Sequence, residues 1–90
     1  MIVGQIHFSK KYTKELKKVS EPILQLAVNK EKLFRENPLH PSLRLHPLKG
    51  EHEGLWSISI NRNYRIIFQR MEGGDILFVS IGKHDIYRCL

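Results

Sequence analysis

The chain has one cysteine, Cys89, next to the C-terminus, so no disulfide can form within it and no oxidising compartment is implied. No apolar run approaches the roughly 20 residues of a membrane-spanning helix. Ile2 to Phe8 also lacks the basic flank and apolar core of a secretory leader, which leaves a cytoplasmic protein without a membrane role as the expectation. Six glycines and four prolines are too few for a low-complexity or linker-rich chain. No Gly-rich phosphate loop, nucleophile elbow or Cys/His pair with an orienting group occurs, so ATPases, serine-type hydrolases and zinc proteases are poorly supported. Ninety residues leave room for one domain over residues 1–90, which excludes a multi-step cofactor enzyme; no cofactor and no small-molecule ligand are expected. Acid is scarce as well. Nine Asp and Glu against fifteen Lys and Arg give a net charge of +6, which favours phosphate backbones, anionic surfaces or an acidic protein as partner.

What is present divides into a scaffold and one dense stretch. Ile2 to Phe8 alternates loosely and predicts a strand. Ser9 then caps a short basic helix in which Tyr12, Leu16 and Val19 share a face, and Lys10, Lys11, Lys14, Lys17 and Lys18 take the wet side. Ser20-Glu21-Pro22 starts a second helix, with Ile23, Leu26, Ala27, Leu33 and Phe34 along one side, and Asn37-Pro38 ends it. Leu55 to Ile60 and Tyr64 to Gln69 alternate around the turn Asn61-Arg62-Asn63. Ile76 to Ile81, after the turn Glu72 to Asp75, is apolar almost throughout, as a central strand covered on both faces should be. The expected architecture is α+β: one N-terminal strand, a helical hairpin, then a three-stranded antiparallel meander, all in a single sheet with the helices on one face. Trp56, Ile58, Ile60, Tyr64, Ile66 and Phe68 should face the helices, leaving Ser57, Ser59, Arg65 and Gln69 on an exposed opposite face.

The dense stretch is residues 37–68, a loop that runs into the β-hairpin, and its loop comes first. Pro38, Pro41 and Pro47 stiffen it, Leu43, Leu45 and Leu48 anchor it, and Arg44 and His46 alternate with those leucines beside Lys49. His40, His46 and His52 are evenly spaced, but no Cys or Asp supports them as ligands and no metal site is expected. There remains a basic, histidine-bearing surface: Arg44, His46 and Lys49 from the loop, Arg62 and Arg65 from the hairpin, and Lys83, His84, Tyr87 and Arg88 after the last strand. Two imidazoles can act as general base and general acid near neutral pH, and arginine can hold the charge that develops on a phosphate. That is the minimum equipment for cutting RNA without a metal.

The motif order carries more. His40-Pro41-Ser42-Leu43-Arg44 and His46-x-Leu48-Lys49-Gly50 come first; Gly54-x-Trp56-Ser57 and Asn63-Tyr64-Arg65-Ile66-Ile67-Phe68 follow; Ile81-Gly82-x-His84-Asp85 with Tyr87-Arg88 closes the chain. Over essentially its whole length the sequence resembles the RelE/ParE superfamily of toxin–antitoxin toxins, its YoeB-like and YafQ-like ribonuclease branches in particular. The resemblance implies a RelE-like fold and a cytoplasmic toxin held inactive by a cognate antitoxin, which when freed acts at the ribosome on mRNA. It implies His46 as the catalytic base, Arg65 as the group steadying the scissile phosphate, and His84 or Tyr87 as the acid. Arg44, Lys49, Arg62, Lys83 and Arg88 are the expected RNA-binding residues. Ser59 and Asn63 depart from it, standing where ribonuclease members often carry a basic, histidine or acidic residue. Two other readings share the fold: a ParE-like toxin that binds DNA gyrase, and a catalytically weak module that binds an antitoxin and represses their operon.

Overall fold

The computed structural model describes residues 1–90, except the side chains of His84 and Cys89. Seven regular elements run in the order β1 (Ile6–Phe8), α1 (Lys10–Leu16), α2 (Glu21–Glu36), β2 (His46–Pro47), β3 (Leu55–Ser59), β4 (Arg65–Arg70) and β5 (Ile76–Gly82). Short 3₁₀ turns stand between them, and another, His84–Cys89, closes the chain. Among the described residues, none of the helices is long and apolar enough to cross a membrane.

Local chemistry explains the boundaries. Ser9 is extended and its hydroxyl accepts the Tyr12 N–H at 2.9 Å, which satisfies one of the free donors at the start of α1. The same hydroxyl donates to the Val79 carbonyl at 2.8 Å, so the cap also ties α1 to β5. Pro22 sits in the first turn of α2, where its missing N–H costs nothing. Asn37, before Pro38, leaves helical geometry at φ −149°.

The sheet has five strands in the order β1-β5-β4-β3-β2. β3, β4 and β5 form the expected antiparallel meander, and β1 pairs parallel to β5 through Ile6 opposite Ile76. The fifth strand corrects the sequence reading. His46 and Pro47, which the prolines alone would place in a stiff loop, pair antiparallel with Ser57 and Trp56 and form the sheet's edge. A proline is admissible there because an edge strand leaves one row of backbone groups unpaired.

The core fills one face. Ala27 and Phe34 from α2 and Tyr12 from α1 are buried against Ile58, Ile66, Phe68 and Phe78. The Phe34 ring lies 5.0 Å from that of Phe68 and 6.1 Å from that of Phe78, distances at which aromatic pairs add to burial. The opposite face is less open than the alternation predicted. Ser57 is fully buried, Ser59 is 7% exposed and Ile67 is fully buried. Over that end of the sheet the C-terminal turn folds back, with Ile86 buried against Gly82. Gln69, further along β4, remains exposed as expected.

Candidate functional site

The stretch between α2 and β3 presents its histidine through two local devices. His40 caps the 3₁₀ turn Pro41–Leu43 by accepting the Ser42 N–H on Nδ1 at 3.1 Å, and Leu43 plugs fully into the core. Arg44 then takes a left-handed conformation at φ 48°, one that costs a non-glycine residue about 1–2 kcal/mol. Past it, Leu45 packs on the core and His46, the next residue, faces the other side of the sheet opposite Ser57. His46 Nδ1 lies 2.9 Å from the Arg44 carbonyl oxygen. A carbonyl only accepts, so Nδ1 carries the hydrogen, and in the neutral ring Nε2 is left with its lone pair. The half-buried ring is therefore fixed in the tautomer that a proton acceptor needs.

Arg65 opens β4, opposite Ser59 on β3 and Gly82 on β5. Two strand spacings and two residues along β3 separate it from His46, roughly 12 Å between Cα atoms. Its Nε is buried and has no hydrogen-bond partner among the described residues, a state that costs about 1–3 kcal/mol unless a ligand or solvent relieves it. The Ser57 hydroxyl, under His46, is in the same condition. Around Arg65 the end of the sheet is hollow. A cavity of about 390 Å³ lies between α2, the Pro41–Leu43 turn and the β3–β4 turn, lined by Lys30, Ser42, Arg44, Ser59, Ile60, Asn61, Arg62 and Arg65. Four cations line it and no carboxylate does.

The expected residues divide accordingly. Arg44, Arg62 and Arg65 meet in the cavity, with His46 joined to it through the Arg44 carbonyl. Tyr87 is half-buried in the C-terminal turn with its ring 6.4 Å from that of His52, so the turn does return toward the loop. Lys83 rests over the Tyr64 ring at 5.6 Å, one residue from Arg65. Lys49 and Arg88 are exposed and do not line the cavity. The side chain of His84 lies outside the described residues. His7, on the far edge strand, is held 3.2 Å from Asp75. Its bond and the Gln5 N–H keep the Asp75 carboxyl below the ordinary range.

Lys30 was missed. It stands three residues after Ala27 and four before Phe34, on the spacing of the buried stripe of α2, and it is half-buried with Nζ 3.2 Å from Ser42 Oγ. A lysine on an apolar helical stripe was the available signal, since that position otherwise takes an apolar side chain.

Comparison with known proteins places this geometry. A family profile described as the bacterial toxin of a type II toxin–antitoxin system, YafQ, matches residues 3–87. The endoribonuclease HigB of Proteus vulgaris is 57% identical over 30 residues, which span 33% of this chain and 33% of that protein. The fold is similar to that of YafQ from Escherichia coli BL21(DE3), with a TM-score of 0.77 and 17% identity over 92% of this chain and 96% of that one. It is similar too to the E. coli DinJ–YafQ toxin–antitoxin complex, with a TM-score of 0.73 and 20% identity over 91% and 93%.

Proposed function

Because this chain belongs to the YafQ family of bacterial type II toxin–antitoxin toxins, we propose that it is an endoribonuclease that cuts mRNA at the ribosome without a metal ion. The observation that carries the reading is the orientation of His46, whose Nε2 shares a sheet face with Arg65, whose buried Nε has no hydrogen-bond partner among the described residues. His46 Nε2 takes the proton of a ribose 2′-OH. The 2′ oxygen attacks the adjacent phosphorus, and Arg65 stabilises the negative charge on the phosphoryl oxygens. The P–O5′ bond breaks, Tyr87 or His84 protonates the departing 5′ oxygen, and a 2′,3′-cyclic phosphate and a 5′-hydroxyl result. Arg44, Lys49, Arg62, Lys83 and Arg88 bring the RNA to the face by charge. General acid–base help of this kind contributes about 10²–10⁴ in rate.

The HigB likeness supports the ribonuclease reading, since that relative is named for the activity. A cognate antitoxin is the proposed partner, as DinJ is for YafQ in the solved complex. The apolar groove between α1 and α2 suits it. Phe8, Tyr12, Leu16, Ala27 and Val28 line that groove with Glu31 at its α2 side, Phe8 is 49% and Val28 43% exposed, and Lys10, Lys14 and Lys17 line a neighbouring depression that shares Phe8 and Thr13 with it. An acidic amphipathic helix would bury those side chains and meet those lysines.

Induced expression of the wild type and of the His46→Ala, Arg65→Ala and His84→Ala variants tests the reading, with cuts in cellular mRNA mapped in parallel. Arrest by the wild type alone, with cuts inside translated frames, is expected. Arrest by all four without cuts would transfer the case to gyrase binding. Deoxyribose at the scissile position should abolish cutting; equal cutting would refute the 2′-OH mechanism.

A further inference from the structure

The cavity beside Arg65 holds more positive charge than one phosphodiester needs. None of its cations takes part in an ion pair among the described residues, where the pairs are His7–Asp75, Lys11–Glu15 and Arg35–Glu31. Lys30 reaches in from α2, Arg44 from the strained loop position, Arg62 from the β3–β4 turn and Arg65 from β4. Four elements therefore converge their cations on one hollow at the expense of mutual repulsion. The neutral lining is oriented as well. Asn61 Oδ1 already accepts the backbone N–H groups of Asn63 at 2.9 Å and Tyr64 at 2.8 Å, which leaves its amide nitrogen as a donor with no partner among the described residues. Lys30 Nζ is steadied by one bond to Ser42 Oγ and keeps two further N–H groups.

A cavity lined by cationic and amide donors selects an acceptor-rich anion, and its volume of about 390 Å³ exceeds what one phosphate group fills. We infer that this cavity is a second phosphate site, which takes the backbone phosphate of single-stranded RNA next to the one presented to His46. Arg65 stands at the boundary of the two sites, and Lys30 with Arg62 belongs to the second. The inference rests on the ribonuclease reading and adds to it a subsite whose contacts fix the register of the strand over the base. Phosphate contacts position a nucleic acid and carry no sequence information, so the site sets where the strand is cut and leaves base preference to other contacts.

The test is a scan of a single-stranded RNA hexanucleotide with 2′-O-methyl riboses, which lacks the nucleophile and is not cut. Each linkage in turn is made a neutral methylphosphonate, and affinity for the wild type and for the Lys30→Gln/Arg62→Gln variant is read by fluorescence anisotropy across a salt series. Two adjacent linkages should each weaken wild-type binding about tenfold when neutralised. In the double variant one of the two should lose its effect while the other keeps it, and the log–log salt slope should fall by about 0.7. A single sensitive linkage in the wild type, which needs no variant to observe, overturns the inference. So does a double variant with both sensitivities intact, or one that binds RNA normally and loses affinity for an acidic protein partner. Cleavage of ribosome-bound mRNA is scored separately. Two-linkage binding without cleavage would sink the ribonuclease reading alone; cleavage without the two-linkage pattern would sink this inference alone.

Discussion

Glu15→Gln probes how α1 is tied to the strand that flanks the site. One carboxylate oxygen accepts the Ser80 hydroxyl at 2.6 Å and the Ile81 N–H at 3.2 Å, while the other accepts Lys11 Nζ at 2.9 Å. Ile81 lies beyond the part of β5 that β1 covers, so on that edge Glu15 replaces a strand partner. Partial burial pushes the carboxyl pKa up, but the bonds from Ser80, Lys11 and Ile81 and the Lys11 charge outweigh it and hold the group below its ordinary value. The unfolded chain then takes up the proton at a higher pH than the folded chain does. The stabilisation is therefore complete above about pH 5 and is lost as pH falls through the folded value. Glutamine keeps an acceptor but loses the charge, which reduces each of two charge-assisted bonds by about half, or about 1 kcal/mol. The exposed Lys11 contact adds little. With the amide's lower desolvation cost, the net loss is about 1–2 kcal/mol at pH 7, and each kcal/mol lowers Tm by about 4–8 °C in a domain of this size. Urea unfolding of both proteins at pH 7 and pH 3 is the assay. The gap should be wider at pH 7 than at pH 3; the same gap at both would mean that Glu15 acts by shape and not by charge.

Arg44→Gly should leave stability within about 0.5 kcal/mol, because relief of the left-handed strain offsets the extra freedom of an unfolded glycine. RNA affinity should fall, and a Tm loss of many degrees would show that the side chain holds the loop. Gly4→Ala should destabilise, since its Cβ would stand 2.5 Å from Asp75 Oδ1 and 3.2 Å from the Gly74 carbonyl, and overpacking of this kind costs about 1–3 kcal/mol. An unchanged urea midpoint would count against that packing. Ser57→Ala removes a buried hydroxyl without a partner and should leave stability equal or raise it by up to about 1 kcal/mol; a clear loss would mean that the hydroxyl is bonded.

The fold was largely legible because local signals agreed with one another. The Ser9 cap, Pro22 at the head of α2 and the alternation from Leu55 to Phe68 each name an element, and the structure has each of them. β2 was hidden because two residues carry no periodicity and one of them is a proline. The burial of Ser57 and Ser59 was hidden too, since period-2 alternation says which residues share a face but not whether a later segment returns to cover it. Of the site, Arg44, Arg62 and Arg65 were legible as cations on a loop and a hairpin. Lys30 was not, because a helix read by itself gives no reason for its lysine to meet a turn two elements later.

Ser59 bears on how the chemistry is divided. The superfamily resemblance leads one to expect a larger ionisable side chain there, and its loss reads at first as a missing catalytic group. Ser59 is directly opposite Arg65, 7% exposed, and lines the cavity. A carboxylate at that position would pair with Arg65 across the strands and cancel the charge that a phosphate needs. A histidine would occupy the space. Serine does neither: it leaves Arg65 without a carboxylate partner among the described residues and the hollow open for Lys30, Arg44 and Arg62 to share. Asn63, in the adjoining turn, is exposed and donates its N–H to Asn61, so that position shapes the turn that aims Arg62. In the proposed mechanism the two departures thus put charge stabilisation on arginine and lysine and proton abstraction on His46, whose ring is oriented by the backbone of its own strand.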